Sequence, residues 1–112
     1  MNLVCETEWR KHRRLELTHL VAYKSFDIEA ITETLNISIG GMKIRTDFPV
    51  GKSEILHVSL RIGSERFESQ ARVIYCNPQH DQAYEMGLAF ENTSDKDLAL
   101  LGQYLRSQSR PR

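Results

Sequence analysis

Two short stretches carry side chains suited to recognising an anion or a nucleobase. The first is RKHRR, residues 10–14. In an extended chain, residues i and i+4 project to the same side. Arg10 and Arg14 therefore form a two-armed fork, with Arg13 beside it. A guanidinium can clamp a phosphate bidentately, grip the O6/N7 edge of guanine, or stack on a base. The second stretch is NISIGG, residues 36–41. Asn36 and Ser38, two apart, share one side of a strand. The amide offers an acceptor and donors, and the hydroxyl offers both. Gly40 and Gly41 permit positive φ and a close backbone approach. Together they could line one wall of a polar ligand site. Each stretch taken alone also has an ordinary reading. RKHRR can be a solvated basic arm, and NISIGG a plain hairpin with a Gly-Gly turn braced by Asn36 and Ser38.

The elements that must position these residues are strands. From residue 15 onward apolar residues recur at every second position, the period of a strand with one inward face. Leu15, Leu17, Val21 and Tyr23 share a phase, and His19 falls in it as a core or rim histidine rather than a ligand. In DIEAITETLNI, Ile28 and Ala30 hold one phase while Ile31, Leu35 and Ile37 hold the other. Such a slip predicts a bulge or a bend. Met42 and Ile44 follow the glycines. Leu56, Val58, Leu60 and Ile62 alternate next, then Phe67, Ala71, Val73 and Tyr75, then Tyr84, Met86, Leu88 and Phe90. FPVGKS, GSE and NPQHDQ separate these runs. Six short strands with regular turn signals indicate a small antiparallel barrel or sandwich, and closure into a barrel removes exposed edges.

After Ser94 the period changes. Ser94 with Asp97 reads as a helix start, and Leu98, Leu101 and Leu105 recur at helical spacing, with Leu100 and Tyr104 widening the stripe. Gly102 weakens that helix by roughly 1 kcal/mol relative to alanine. The fold class expected is all-β, a six-stranded antiparallel barrel with a C-terminal α-helix. The expected organisation is a single domain over 1–112, with a basic arm at 1–14 and the barrel and helix at 15–107.

Composition narrows the function. At 112 residues, one domain with its own core is the expectation. The formal net charge is zero, which argues against a general nucleic-acid coat or a polybasic membrane patch. Arg10, Lys11, Arg13 and Arg14 nevertheless outweigh Glu6 and Glu8, and Arg106, Arg110 and Arg112 meet no nearby acid. Basic ends thus flank a mildly acidic body. Cys5 and Cys76 form no metal-spaced set, and His12, His19, His57 and His80 are scattered. No nucleophile–base signature is visible, so neither an enzyme, a metal site nor a cofactor is expected. The sequence has no long apolar run, so a cytoplasmic location is expected.

Arg10-x-x-x-Arg14 and Asn36-x-Ser38-x-x-Gly41, in that order and followed by barrel strands and a terminal helix, closely resemble the two signatures of the PilZ domain family, R-x-x-x-R and (D/N)-x-S-x-x-G. GLAF at 87–90 looks like that family's penultimate strand-end motif, so the resemblance covers nearly the whole chain. It implies a bacterial receptor for the second messenger cyclic di-GMP. By the resemblance, Arg10 and Arg14 bind phosphate and guanine, Asn36 accepts from a guanine N–H, Ser38 bonds a phosphate or base, and Gly41 leaves room. Arg13 stands where the family often has an apolar residue or proline. It either adds a third guanidinium or faces water. Trp9 either stacks on a guanine or anchors the arm. A single bound ligand is the expectation.

The implied signal is the ordering of the basic arm over the barrel when ligand binds. No output module is visible, so the domain is expected to act on another protein or on a second copy, as a monomer or homodimer, in motility, exopolysaccharide synthesis or surface attachment. The main rival is a ligand-blind PilZ-like adaptor, against which the intact motif residues argue. An RNA-binding small barrel fits poorly with neutral charge and few outward aromatics.

Overall fold

The computed structural model describes residues 19–25 and 28–108. Six strands run in chain order: β1 (Leu20–Lys24), β2 (Glu29–Ser38), β3 (Gly41–Thr46), β4 (Ile55–Ile62), β5 (Glu65–Pro78) and β6 (Tyr84–Glu91). One helix follows, α1 (Asp95–Gln108). All neighbours pair antiparallel, in the closed order β1-β2-β3-β6-β5-β4, with β4 returning to β1. No strand is left with an unpaired edge, the solution that alternation in every strand invites.

The core is the inward phase of each strand. Val21 and Tyr23, Met42 and Ile44, Leu56, Val58, Leu60 and Ile62, Phe67, Ala71 and Val73, and Met86 and Leu88 are all buried. Phe90 packs edge-on against Phe67. The Tyr23 hydroxyl is satisfied inside by Thr46 Oγ1, and burial pushes its pKa up. The expected positions Leu15 and Leu17 lie outside the described residues.

Two bulges break the alternation, and both matter for the outer surface. In β2 the register shifts between Thr34, opposite Ile44, and Asn36, opposite Lys43. Leu35 is the extra residue. Before it Thr34 points inward, and after it Ile37 does, whereas Ile31 and Leu35 are exposed. The phase slip is thus a bulge, and it divides the apolar set Ile31, Leu35 and Ile37 between the two faces. In β5 the shift falls between Val73 and Tyr75. Here the simple alternation fails. Tyr75 does not join Phe67, Ala71 and Val73 in the core. Ile74 is the inserted residue, Cys76 comes opposite buried Met86, and Tyr75 comes opposite Gly87 on the outer face.

Helix α1 lies against β4 and β5, with Leu101 fully buried. Asp97 N–H donates to Ser94 Oγ at 3.1 Å, and Ser94 Oγ–H donates to Asp97 Oδ2 at 2.6 Å. The other Asp97 oxygen accepts the Glu68 N–H at 3.1 Å. One carboxylate therefore both completes the helix start and ties it to β5.

Candidate functional site

Trp9, Arg10, Arg13 and Arg14 lie outside the described residues. The remaining candidates, Asn36, Ser38, Gly40 and Gly41, lie together on β2, the β2–β3 turn and β3. The bulge at Leu35 sets their direction. Ile37 and its partner Met42 point into the core, so Asn36 and Ser38 on either side of Ile37 face outward together. Asn36 stands opposite Lys43, and Ser38 opposite Gly41.

Ser38 is 2% exposed despite its outward phase. Its hydroxyl accepts the Gly40 N–H at 3.2 Å and approaches the Gly41 carbonyl as donor at 3.4 Å. It is a brace for the turn. The Gly40 carbonyl accepts the Phe90 N–H at 2.9 Å, which carries the turn onto β6.

Neither Gly40 nor Gly41 has a positive φ; among the described glycines that conformation falls at Gly63. Gly41 is required for a different reason. A Cβ there would sit 2.0 Å from the Leu88 carbonyl oxygen and 3.2 Å from Ala89 Cα. The close approach that this glycine allows is to the backbone of β6.

The first described residue, His19, is fixed on two sides. Its N–H donates to Thr34 Oγ1 at 3.0 Å and its carbonyl accepts the Thr34 N–H at 2.8 Å. Its ring Nε2 lies 2.6 Å from the Tyr104 hydroxyl of α1, with the two rings edge to face. Ile39 of the turn lies beside the same helix, its Cδ1 3.7 Å from where a Gly102 Cβ would be. His19 and the NISIGG turn thus share one neighbour, α1.

Reading across the sheet extends the outer surface. Asn36 is opposite Lys43, Lys43 opposite Gly87, and Gly87 opposite Tyr75, a row across β2, β3, β6 and β5. Lys43 Nζ lies 3.5 Å from Glu85 Oε2, and the Tyr75 hydroxyl donates to the same oxygen at 2.8 Å. Lys43 was legible in the sequence once the hairpin register was assumed. Tyr75 was not, because its outward direction depends on the bulge.

Elsewhere some surface charges pair. Arg45 bonds Asp81. Arg72 donates to both oxygens of Glu91, at 2.5 and 3.1 Å, and to the Ser53 carbonyl. Hydrogen bonding from Arg45 holds Asp81 below the usual carboxylate range, and Arg72 does the same to Glu91. A carboxyl with a lowered folded pKa stabilises the fold above its unfolded pKa and loses that contribution as pH falls through the folded one. Stability is therefore expected to fall as pH drops from about 5 toward 2. Urea unfolding at several pH values measures it. In Glu91→Gln the slope should be shallower, and an unchanged slope would refute the assignment of this pair.

Among the described residues, no group of three or more His, Cys, Asp or Glu could hold a metal ion. No helix among them is long and apolar enough to cross a membrane.

The family model for the PilZ domain matches residues 8–107. This chain belongs to the PilZ domain family. The match takes in both motifs, the arginine arm as well as NISIGG. The barrel order and terminal helix of this PilZ domain also occur in solved structures. The Bacillus subtilis inhibitor of motility, MotI/DgrA, is similar with a TM-score of 0.75 and 24% identity, over 91% of this chain and 53% of that one. YcgR from Escherichia coli, solved in complex with cyclic di-GMP, gives 0.76 and 17%, over 90% and 46%. The PilZ domain of CeSA from a cellulose-synthesizing bacterium gives 0.69 and 13%, over 88% and 99%. This PilZ domain thus spans about half the length of the first two. No curated protein matches it. At these identities the structural likeness establishes the fold.

Proposed function

We propose that this PilZ domain is a bacterial receptor for cyclic di-GMP that acts by binding rather than by catalysis. The observation that carries this reading is the outward pairing of Asn36 with Ser38 behind the Leu35 bulge, in a chain that also holds Arg10 and Arg14 within the matched region. The ligand presents two phosphates and two guanines. Guanidinium groups suit both, through bidentate bonding and stacking. Asn36 accepts from a guanine N–H. Ser38 contributes by leaving its turn bonds or by holding the turn's backbone in place. YcgR, of the same fold, was solved with this ligand.

Arg10 and Arg14, with Arg13 and Trp9 alongside, close over the barrel wall when ligand binds. Their ordering is the signal that a partner protein or second copy reads. Ile39 of the NISIGG turn and His19 at the start of the described chain both lie beside α1, which supports the helix as the element that reports the change. Motility, exopolysaccharide synthesis or surface attachment are the processes such a signal serves, in the cytoplasm.

Titration calorimetry with cyclic di-GMP tests this reading and yields stoichiometry, expected to be one ligand per chain. Thermal melting provides the parallel check, since a ligand that binds the folded state must raise the midpoint. Absence of both heat and shift would leave the ligand-blind adaptor.

A further inference from the structure

The outer face of β1 and β2 carries an apolar pair that the described residues leave uncovered. Leu20 is 68% exposed and Ile31 is 72% exposed, more than any other large apolar side chain among the described residues. Both point outward because their chain neighbours Val21 and Ala30 face the core. Ile31 stands opposite Ala22, and Leu20 opposite Glu33, so the two are diagonal neighbours on one strand pair. A single apolar side chain on a surface is ordinary, but two adjoining ones beside small residues make a patch. The small residues are Ala22 and, opposite it on β4, Ser59.

Charges of opposite sign flank this patch. On the β2 side stand Glu29 and Glu33, both exposed. On the β4 side stands Arg61, also exposed. It follows Leu60, the partner of Val21, and so comes alongside Leu20. Among the described residues, no ion pair engages Glu33 or Arg61. They stand two strands apart across Leu20, roughly 10 Å at the backbone, too far to satisfy one another well. Such a face is complementary to its own image. A two-fold axis along β1 lays β2 of a second copy over β4. Leu20 then meets its own counterpart, and Ile31 covers Ser59 of the second copy. Glu33 comes over Arg61, and every contact is made twice. Lys24, near the axis, keeps Glu29 of its own chain opposite it.

We propose that this face is a homodimer interface, with Leu20, Ala22, Ile31 and Ser59 at its centre and Glu33 paired with Arg61 of the second copy at its margins. The change of sign across the patch selects the partner. A surface acidic on one side and basic on the other fits its own two-fold image better than a surface of one sign. The patch uses the first half of β2, before the Leu35 bulge, whereas Asn36 and Ser38 follow that bulge. One strand thus offers one half to a second copy and the other to the proposed ligand. An interface with so few apolar side chains is small, and association in the micromolar range is expected.

The test is sedimentation velocity without ligand. From about 1 µM to several hundred µM, the wild-type chain should pass from one chain to two. Ile31→Arg should stay a single chain over that range. Glu33→Arg and Arg61→Glu should each weaken association roughly tenfold or more. The chain carrying both changes should return to within about threefold of wild type, since the reversed charges again meet across the interface. Melting curves check that each variant is folded. Methyl spectra of the wild-type chain give a readout that does not depend on the charge variants. The Ile31 methyl signals, assigned by their loss in Ile31→Val, should move as concentration rises. Those of Ile74, exposed on β5, should stay. A wild-type chain that remains single throughout would overturn the proposal and leave the face to a different protein or to residues 1–18 of this chain. A dimer that moves the Ile74 signals instead, or that the double reversal fails to restore, would place the interface elsewhere and overturn it too. None of these results touches the cyclic di-GMP reading, on which the proposal does not rest.

Discussion

Arg14→Ala is expected to remove measurable cyclic di-GMP binding and to leave the melting midpoint of the free protein where it was. A guanidinium contributes charge-assisted bonds worth about 1.5–3 kcal/mol each, and a bidentate grip uses two. Losing one arm of the fork should therefore weaken binding by roughly a hundredfold or more. Arginine truncations at recognition surfaces commonly fall in this range. Arg14→Lys should recover only part of the affinity, because a lysine keeps the charge but cannot make the planar fork. Calorimetry on both variants measures this, with melting curves as the control for folding. Unchanged affinity in Arg14→Ala would remove the arginine pair from the site.

Gly41→Ala should destabilise the fold severely, and for reasons unconnected with ligand. The added Cβ would lie 2.0 Å from the Leu88 carbonyl oxygen, 3.1 Å from its carbonyl carbon and 3.2 Å from Ala89 Cα. All three are backbone atoms, so no rotamer change relieves the overlap. Strands β3 and β6 must separate where Met42 meets Leu88, two buried core residues. A cost of about 3 kcal/mol or more is expected, which lowers the midpoint of a domain this size by roughly 10–20 °C. Gly102→Ala is the contrasting control. Its Cβ would meet only side-chain atoms, at 3.5 Å or beyond, and the helix gains roughly 1 kcal/mol of propensity. Thermal unfolding distinguishes the two. A Gly41→Ala midpoint within a few degrees of wild type would show that the strands adjust cheaply. If the expected loss is seen, failed binding by Gly41 variants reflects a displaced β3 rather than a lost ligand contact.

Helix α1 links separate parts of the barrel. The helix touches the point where β1 begins, through Tyr104 and His19, and the NISIGG turn, through the neighbourhood of Ile39. The Asp97 carboxylate fixes its other end to β5.

By itself the sequence determined what repeats at short range. The alternation of Leu56, Val58, Leu60 and Ile62 could give only a strand with one buried face. Likewise Leu98, Leu101 and Leu105 behind Ser94 could give only an amphipathic helix. The two motifs were legible because residue type and spacing alone define them. The slip in β2 was legible too, since the apolar residues change phase within one run.

Tertiary structure decided the rest. The outward turn of Tyr75 was hidden because Phe67, Ala71, Val73 and Tyr75 keep perfect period two, and only pairing with β6 inserts Ile74 and reverses the face. The purpose of Gly41 was equally hidden. Its neighbour in the barrel is Leu88, far along the chain, and the need for a bare Cα arises only when β3 and β6 meet. Local periodicity specifies which face of a segment is apolar. Contacts between distant segments specify where a bulge must fall and where no side chain fits.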